Sequence, residues 1–350
     1  MADWTPHFSR NESRPGEERL ELAYAFPGQG DFSVSALLKG TRRHRAVHDA
    51  VADTFTVTDQ IAVEEGLPPI GRALLGADPP NGRDLAQAPV GTAQLVQFAV
   101  SVGLYRALSA VLGPPDRLIA VSFGEIPALV AADALALRDG ARITCQLAQH
   151  MSAHPGAMLL VHAGEPDTTE LLAARPDNRV ALACVNAPYE CVVSGPTAAI
   201  AELERLAAER RIAVNRLRLD TLAHHPDLAD AADTFCSYVQ HIPAQMPAVP
   251  VHSAVNGLYT SPGQLAQGLA NCLIRPVRLP PTLLDALAPP GIVLEIGTGE
   301  ALTRNVLQTL PEGQVAAYNP LRAASFTWDP PPGTDSSQTF RVHAAESEAP

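Results

Sequence analysis

Apolar and polar positions alternate along the chain with two different periods, which predicts that strands and helices follow one another. Short apolar runs at 22–26 (LAYAF), 117–122 (RLIAVS) and 291–300 (GIVLEIGTGE) are typical of buried strands that end in turns. Apolar residues three and four positions apart predict helices at 93–113 and 137–151. Because the two kinds of element alternate, we expect an α/β fold with a mostly parallel sheet between helices.

The middle of the chain has a different order of predicted strands and helices from the segments that flank it. It predicts a strand, a helix, a two-stranded hairpin over 180–196, a second helix and a final strand. This β-α-β-β-α-β order is typical of a ferredoxin-like subdomain, here inserted into a larger one. The expected divisions are polar tails at 1–20 and 327–350, a discontinuous large subdomain at 21–153 and 222–326, and a small subdomain at 154–221.

Charge and hydropathy narrow the class of protein. The chain has 350 residues and a formal net charge of −12, which gives no indication of nucleic-acid binding. No stretch approaches the roughly 20 uninterrupted apolar residues of a membrane span. The polar N-terminus lacks the apolar core of a signal peptide. We therefore expect a cytoplasmic protein that binds neither nucleic acid nor a membrane.

The cysteines are scattered and include no C-x-x-C pair. This spacing favours buried free thiols over a disulfide framework or a zinc site. We accordingly expect no metal site. The cysteines are Cys145, Cys184, Cys191, Cys236 and Cys272.

Ser122 ends a predicted strand, and the helical pattern EIPALVAADAL begins three residues later. This is the geometry of a nucleophile elbow, with the small residues Ala120 and Gly124 on either side of the serine. An ordinary helix N-cap would look the same. Two other segments could complete a site: the turn FPGQG at 26–30, as an oxyanion hole, and the doublet His224-His225, as the source of a base. Alone, the first is equally an ordinary turn and the second a surface-loop histidine.

Taken in order, these segments resemble the malonyl-CoA:acyl-carrier-protein transacylases and the acyltransferases of polyketide synthases. The resemblance covers about residues 20–325. It rests on FPGQG, a T-x-Q segment with Thr92 and Gln94, SFGEIPALVAADAL, GAM, VNAPYECVVSGP, AHHPDLADAA, RPVRL and LEIGTGEALT. The chain is thereby identified as a member of that family, and we expect a discrete, stand-alone member with an α/β-hydrolase-like core.

The resemblance implies ping-pong catalysis by a Ser–His dyad. Ser122 would attack an acyl thioester with His224 as the base, and the backbone N–H groups of Gln29 and Phe123 would hold the oxyanion. The phosphopantetheine thiol of an acyl carrier protein would then collect the acyl group. No cofactor would be bound; the phosphopantetheine or CoA thioester is the substrate.

Supporting roles follow from the same resemblance. Gln94 and Asn186 would be polar residues of the cleft. A backbone carbonyl would orient the imidazole, so no Asp or Glu is assigned to the site. His224 is preferred over His225, which falls on a position that is usually serine.

Three positions depart from the family pattern. Val121 replaces the histidine of the G-H-S-x-G elbow, and Ala223 stands where extender-selecting members commonly have Phe or Ser. An ungapped alignment from Ser122 to Met151 puts Leu147 where malonyl enzymes have the arginine that pairs with the substrate carboxylate. A buried carboxylate without its partner costs about 3–5 kcal/mol. We therefore expect an apolar acyl pocket, and malonyl and methylmalonyl to be poor substrates.

Three functions are compatible with these residues. The favoured one is an acyltransferase that moves a non-malonyl acyl group, such as a starter, aminoacyl or dipeptidyl unit, onto or between carrier proteins of a polyketide pathway. The second is an editing hydrolase, in which water attacks acyl-Ser122. The third is a non-catalytic scaffold for carrier proteins, suggested by Val121. The arginine-rich run 205–218 is interpreted first as a solvated helix face; because carrier proteins are acidic, it is also the first place to test for a docking surface.

Overall fold

The fold is known from a computed structural model that describes residues 7–8, 20–174, 179–287, 291–324, 326–328 and 340–341. Most of the two predicted tails lies outside these residues. Two short described segments, His7–Phe8 (β1) and Phe340–Arg341 (β13), pair as antiparallel strands.

A six-stranded sheet lies at the centre of the larger part. In order of pairing its strands are β12 (Val315–Tyr318), β11 (Gly291–Glu295), β2 (Glu21–Phe26), β3 (Arg117–Ala120), β8 (Val251–Ser253) and β9 (Gly257–Leu258). Neighbouring strands are parallel except for β8 and β9. With helices packed around this sheet, the mixed α/β fold predicted from the alternating pattern is confirmed.

A second sheet has its own apolar core. In order of pairing its strands are β10 (Val277–Arg278), β5 (Ala181–Ala187), β6 (Glu190–Gly195), β4 (Ala157–Val161) and β7 (Val214–Arg216). Helices α8 (Glu165–Ala173) and α9 (Thr197–Glu209) pack on it, so β4 to β7 follow the order β-α-β-β-α-β. The edge strand β10 comes from outside the 154–221 segment and pairs in parallel with β5.

The remaining helices surround the large sheet. Three of them, at 92–112, 125–131 and 137–152, were predicted from the sequence, and the other eight were not. They are α1 (Val34–Arg43), α2 (Arg45–Glu64), α3 (Gly71–Leu74), α4 (Gly82–Gln87), α5 (Thr92–Leu112), α6 (Glu125–Ala131), α7 (Leu137–Ser152), α10 (Ala229–Val239), α11 (Leu265–Ile274), α12 (Leu279–Ala286) and α13 (Ala301–Thr309).

The longest helix, α5, is the centre of the core. Among the described residues it is the one helix long and apolar enough to cross a membrane, but 72% of its most apolar window is buried inside the protein. It crosses α2 closely at Gly103, where a Cβ atom would lie 2.8 Å from the Cα of Val51. Burial on this scale accounts for its predominantly apolar sequence.

The large sheet brings the two predicted site segments together. Strands β2 and β3 are parallel neighbours, and Phe26 pairs with Ala120 near their carboxyl ends. The turn after β2 and the serine after β3 therefore leave the sheet at the same edge. In open α/β sheets this edge is where ligands bind.

Candidate active site

Ser122 occupies a strained turn between β3 and α6. Its φ is 55°, in the left-handed region that residues other than glycine rarely adopt. It begins a short 3-10 helix, Ser122–Gly124, that leads directly into α6. A Cβ atom on Gly124 would lie 2.3 Å from the carbonyl oxygen of Phe26, so only glycine fits there. This is the geometry of an elbow, and a helix N-cap would instead place its serine in extended backbone.

The hydroxyl of Ser122 contacts one imidazole. Ser122 Oγ lies 2.8 Å from Nε2 of His224, and Nδ1 of His224 lies 2.8 Å from the carbonyl oxygen of Arg275. A carbonyl only accepts, so Nδ1 carries the proton and Nε2 is free to accept one from the serine. The pair is therefore arranged for nucleophilic catalysis with the imidazole as base.

The carbonyl that orients His224 is itself fixed by the sequence around it. Arg275 has extended backbone (φ −101°, ψ 146°) immediately after α11. It precedes Pro276, and a residue before proline is driven out of the helical region. The helix thus stops at Ile274, and the carbonyl of Arg275 is directed at the imidazole instead of into the helix.

His225, the neighbour of the base, has a structural role. Its Nε2 lies 3.2 Å from the carbonyl oxygen of Arg179, and its Nδ1 accepts the backbone N–H of Asp227 at 3.2 Å. The side chain is 2% exposed. His224 alone of the doublet therefore contacts Ser122.

Burial lowers the pKa of His224 from its ordinary value to about 4, although the bond to the Arg275 carbonyl opposes that shift. The side chain is 3% exposed, so the imidazolium form loses most of its hydration. The base is therefore neutral, and able to accept a proton, over the whole neutral range.

This lowered pKa predicts the pH dependence of Ser122 reactivity. We expect a fluorophosphonate to label Ser122 at a constant rate from pH 8 down to about pH 5, because His224 stays in its neutral, proton-accepting form. The rate should fall near pH 4, with circular dichroism confirming that the protein is still folded. A midpoint near 6.5, the ordinary value for histidine, would show that His224 is solvated and would contradict the buried geometry.

The turn after β2 borders the serine. A Cβ atom on Gly28 would lie 3.7 Å from the Cβ of Ser122. Gln29 begins one 3-10 helix and Phe123 is the second residue of another, positions whose N–H groups have no partner within the helix. Gln97 donates to the carbonyl oxygen of Gly28 at 2.9 Å and fixes the turn. Sequence reasoning missed Gln97, although it lies one helical turn beyond Gln94.

A narrow pocket, with a cavity volume of about 20 Å³, adjoins Ser122. Of the predicted site residues it includes the serine, Gln29, Phe123, Leu147 and Ala223. No arginine or lysine is among the described residues that line it. The full lining is Gln29, Ser122, Phe123, Ile126, Leu147, Met151, Ala223, Phe235, Leu269, Cys272 and Leu273.

Three residues predicted to bind substrate do not line this pocket. Val121 packs against the apolar cluster on the opposite side of the sheet from the pocket-lining residues. Asn186 donates to Glu190 at 3.1 Å within the β5–β6 hairpin. Gln94 is linked to the pocket only through Gln29, because its amide donates to the side chain of Gln29 at 3.4 Å. These three side chains support neighbouring residues, and the sequence could not distinguish support from contact.

The basic run proposed as a docking surface is largely neutralised. Arg205 pairs with Glu209, Arg210 with Glu170 at 3.8 Å, and Arg216 with Glu204 through two hydrogen bonds. The acidic partners lie on α8 and α9, within the same small sheet unit. The positive field expected from the sequence is therefore reduced by folding.

The five cysteines are free thiols, as expected, but not all are buried. Cys145, Cys191 and Cys236 are buried, whereas Cys184 and Cys272 are half-buried. Within the described part of the chain, no three His, Cys, Asp or Glu side chains are grouped as a metal site.

Residues 19–326 match the family described as acyl transferase domain. The chain is 30% identical over 227 residues to a 6-methylsalicylic acid synthase of Arthrobotrys oligospora, and 27% identical over 237 residues to the erythronolide synthase EryA3 of Saccharopolyspora erythraea. These alignments cover 63% and 67% of the chain but only 13% and 7% of the two synthases.

Solved structures share the fold. The acyltransferase domain of the second module of the salinomycin polyketide synthase superposes with a TM-score of 0.71 at 26% identity, covering 87% of this chain and 70% of that one. A malonyl-transacylase bound to its type II polyketide synthase acyl carrier protein superposes with a TM-score of 0.73 at 21% identity, covering 85% and 94%.

Proposed function

Because the chain belongs to the acyl transferase domain family, we propose that it moves a non-malonyl acyl group onto or between acyl carrier proteins of a polyketide pathway. The observation that carries this proposal is the pocket beside Ser122, where apolar side chains, including Leu147, stand around the acyl site and no arginine or lysine is among the described lining residues. An acyl group with a free carboxylate would be buried there without a cation.

The proposed reaction has two symmetrical halves. Ser122 Oγ attacks the thioester carbonyl while His224 Nε2 takes the hydroxyl proton, and the N–H groups of Gln29 and Phe123 stabilise the oxyanion. The carbon–sulfur bond breaks, the thiolate leaves with the proton from His224, and acyl-Ser122 remains. The thiol of a carrier protein then attacks the carbonyl of acyl-Ser122 while His224 takes the thiol proton; the ester bond to Ser122 Oγ breaks, and Oγ regains the proton from His224. No metal or redox cofactor takes part in this scheme.

The partner of the second half-reaction is an acyl carrier protein. This proposal draws on two structural neighbours: one is a malonyl-transacylase in complex with its acyl carrier protein, and the other is an acyltransferase domain of the salinomycin polyketide synthase. A carrier protein presents its acyl group on a flexible phosphopantetheine arm, which suits a half-buried serine at the mouth of a pocket. The donor thioester is carried by CoA or by a first carrier protein.

The finer architecture is proposed to follow the same family. The large sheet is an α/β-hydrolase-like core at 21–153 and 222–326, and the segment 154–221 is a ferredoxin-like insertion between its halves. The chain acts as an acyltransferase in the cytoplasm. The loss of the malonyl-binding arginine at position 147 is its specificity-determining difference.

The proposal is tested by competition between acyl donors. Wild-type protein is mixed with equal concentrations of malonyl-CoA, acetyl-CoA, butyryl-CoA and octanoyl-CoA, and with the same acyl groups on a carrier protein, and the adduct on Ser122 is identified by intact mass. Uncharged acyl groups should dominate the adduct. A malonyl adduct in excess would overturn the proposed specificity.

Phe235 is expected to limit the length of the acyl group. It is 0% exposed and lines the pocket, whereas Ser122, Gln29 and Cys272 at the open end are half-buried. Its ring packs edge-on against His150, with the ring centroids 5.9 Å apart. Phe235→Leu should shift loading from butyryl-CoA towards octanoyl-CoA by roughly 10-fold, measured as relative rates of acyl-enzyme formation. Phe98→Leu, at an equally buried phenylalanine outside the pocket, should leave the ratio unchanged, and equal ratios in both variants would refute the role.

A further inference from the structure

A buried polar network lies behind the serine elbow. Glu125, the first residue of α6, is 0% exposed. Its carboxyl accepts hydrogen bonds from the hydroxyl of Ser253, from the hydroxyl of Tyr259 at 2.5 Å and from Nδ2 of Asn256 at 3.4 Å. Burial raises the pKa of Glu125 to about 7. The catalytic scheme uses none of these groups, so their arrangement needs another explanation.

The network continues from the elbow into α11. Asn271 donates from Nδ2 to Oδ1 of Asn256 at 2.8 Å, and Asn256 donates from Nδ2 to the carbonyl oxygen of Gly268 at 2.9 Å. Asn271 is 6% exposed, so its amide has little access to water as an alternative partner. Both Gly268 and Asn271 belong to α11, so two hydrogen bonds fasten this helix to the loop after β8.

The end of α11 holds the catalytic base. The N–H of Arg275 donates to the carbonyl oxygen of Asn271 at 2.8 Å, and the carbonyl oxygen of Arg275 accepts Nδ1–H of His224. The backbone N–H of His225 donates to the carbonyl oxygen of Leu273 at 2.9 Å. A displacement of α11 along or around its axis would therefore move His224 relative to Ser122.

We propose that Asn271 is a positioning residue for His224, acting through the hydrogen bonds that run from Glu125 through Asn256 to α11 and the Arg275 carbonyl. The inference rests on the Ser–His chemistry of the proposed function. This series of hydrogen bonds begins at Glu125, three residues after Ser122, and ends at His224, which contacts Ser122 Oγ. It therefore fixes the position of the base relative to that of the nucleophile. Proton transfer requires this fixed distance, and a displacement of about 1 Å can cost roughly 100-fold in rate.

The test uses the full-length protein and a fluorophosphonate, which reports on the dyad without knowledge of the acyl group. Ser122 Oγ forms a bond to phosphorus, fluoride leaves, and the proton passes to His224. Asn271→Ala should lower the second-order labelling rate at pH 8 by roughly 10- to 100-fold. The matched control is Gln267→Ala, which removes a different hydrogen bond to the same Asn271 side chain, 3.1 Å long and from an exposed residue. It should stay within about 2-fold of wild type.

A second readout separates positioning from a general loss of stability. The Nδ1 proton of His224, bonded to a carbonyl, should give a downfield NMR resonance in wild type and in Gln267→Ala that is shifted or lost in Asn271→Ala. If Asn271→Ala does not fold, Asn271→Asp, which keeps the size of the side chain but cannot donate from Nδ2, takes its place. Wild-type labelling rates in a folded Asn271 variant would overturn the inference. Wild-type protein that labels normally but transfers no acyl group would instead refute the proposed function.

Discussion

Replacing His224 with asparagine should reduce acylation of Ser122 by about 100- to 10,000-fold, the usual contribution of a positioned general base. Asparagine retains a donor near the Nδ1 position, which can still contact the Arg275 carbonyl, but it offers nothing at Nε2 to accept the serine proton at 2.8 Å. The loss should be in the rate of acyl-enzyme formation, measured in a single turnover by intact mass.

The adjacent histidine provides the matched control. In His225→Asn the side-chain oxygen can replace Nδ1 as the acceptor for the Asp227 N–H, so the local turn is kept. We expect this variant to acylate within a few-fold of wild type, because His225 contacts Arg179 and Asp227 and not the serine. Equal losses in the two variants, or a larger loss at position 225, would contradict the assignment of the base.

The second large expected effect is a change in acyl-group specificity when Leu147 is replaced. Leu147 is 7% exposed on α7 and lines the pocket beside Ser122. Introducing a guanidinium there, in Leu147→Arg, should supply the missing partner for a substrate carboxylate. If the restored pair contributes about 3 kcal/mol, the ratio of malonyl to butyryl loading rises by roughly 100-fold.

Leu147→Met is the control for this change, because it alters the shape of the side chain without adding charge. Its malonyl-to-butyryl ratio should remain that of wild type. The measurement is the rate of acyl-enzyme formation with each CoA thioester. Efficient malonyl loading by the unaltered protein, or no change of ratio in Leu147→Arg, would show that position 147 does not face the substrate carboxylate.

The sequence predicted an elbow as one of two interpretations of Ser122, because the requirements of an elbow are local. A buried strand must end, a serine must adopt a left-handed turn, and Gly124 must allow the close approach to Phe26. Each condition restricts the residue types that can stand at or next to Ser122 in the sequence. The same holds for the strand and helix pattern of the small sheet, where the period of apolar residues is set by one buried face.

Contacts between distant segments place no such restriction on neighbouring residues, so the sequence did not indicate them. The carbonyl of Arg275 orients His224, and Gln97 fixes Gly28, through hydrogen bonds that span 51 and 69 residues of sequence. The pairing of the basic run with glutamates also arises only when α8 and α9 pack beside one another. Residue types and spacing indicate which groups could interact, but the tertiary fold decides which of them meet.

The central claim, that Ser122 carries an acyl group between thioesters, is tested most directly by a two-step transfer. The protein is incubated with a butyryl-carrier protein, its intact mass is measured, and a second carrier protein with a free phosphopantetheine thiol is then added. We expect a butyryl adduct that is absent in Ser122→Ala, followed by its loss as the second carrier gains the same mass. Folded wild-type protein without an adduct, or release of free butyrate with an unloaded second carrier, would contradict the account.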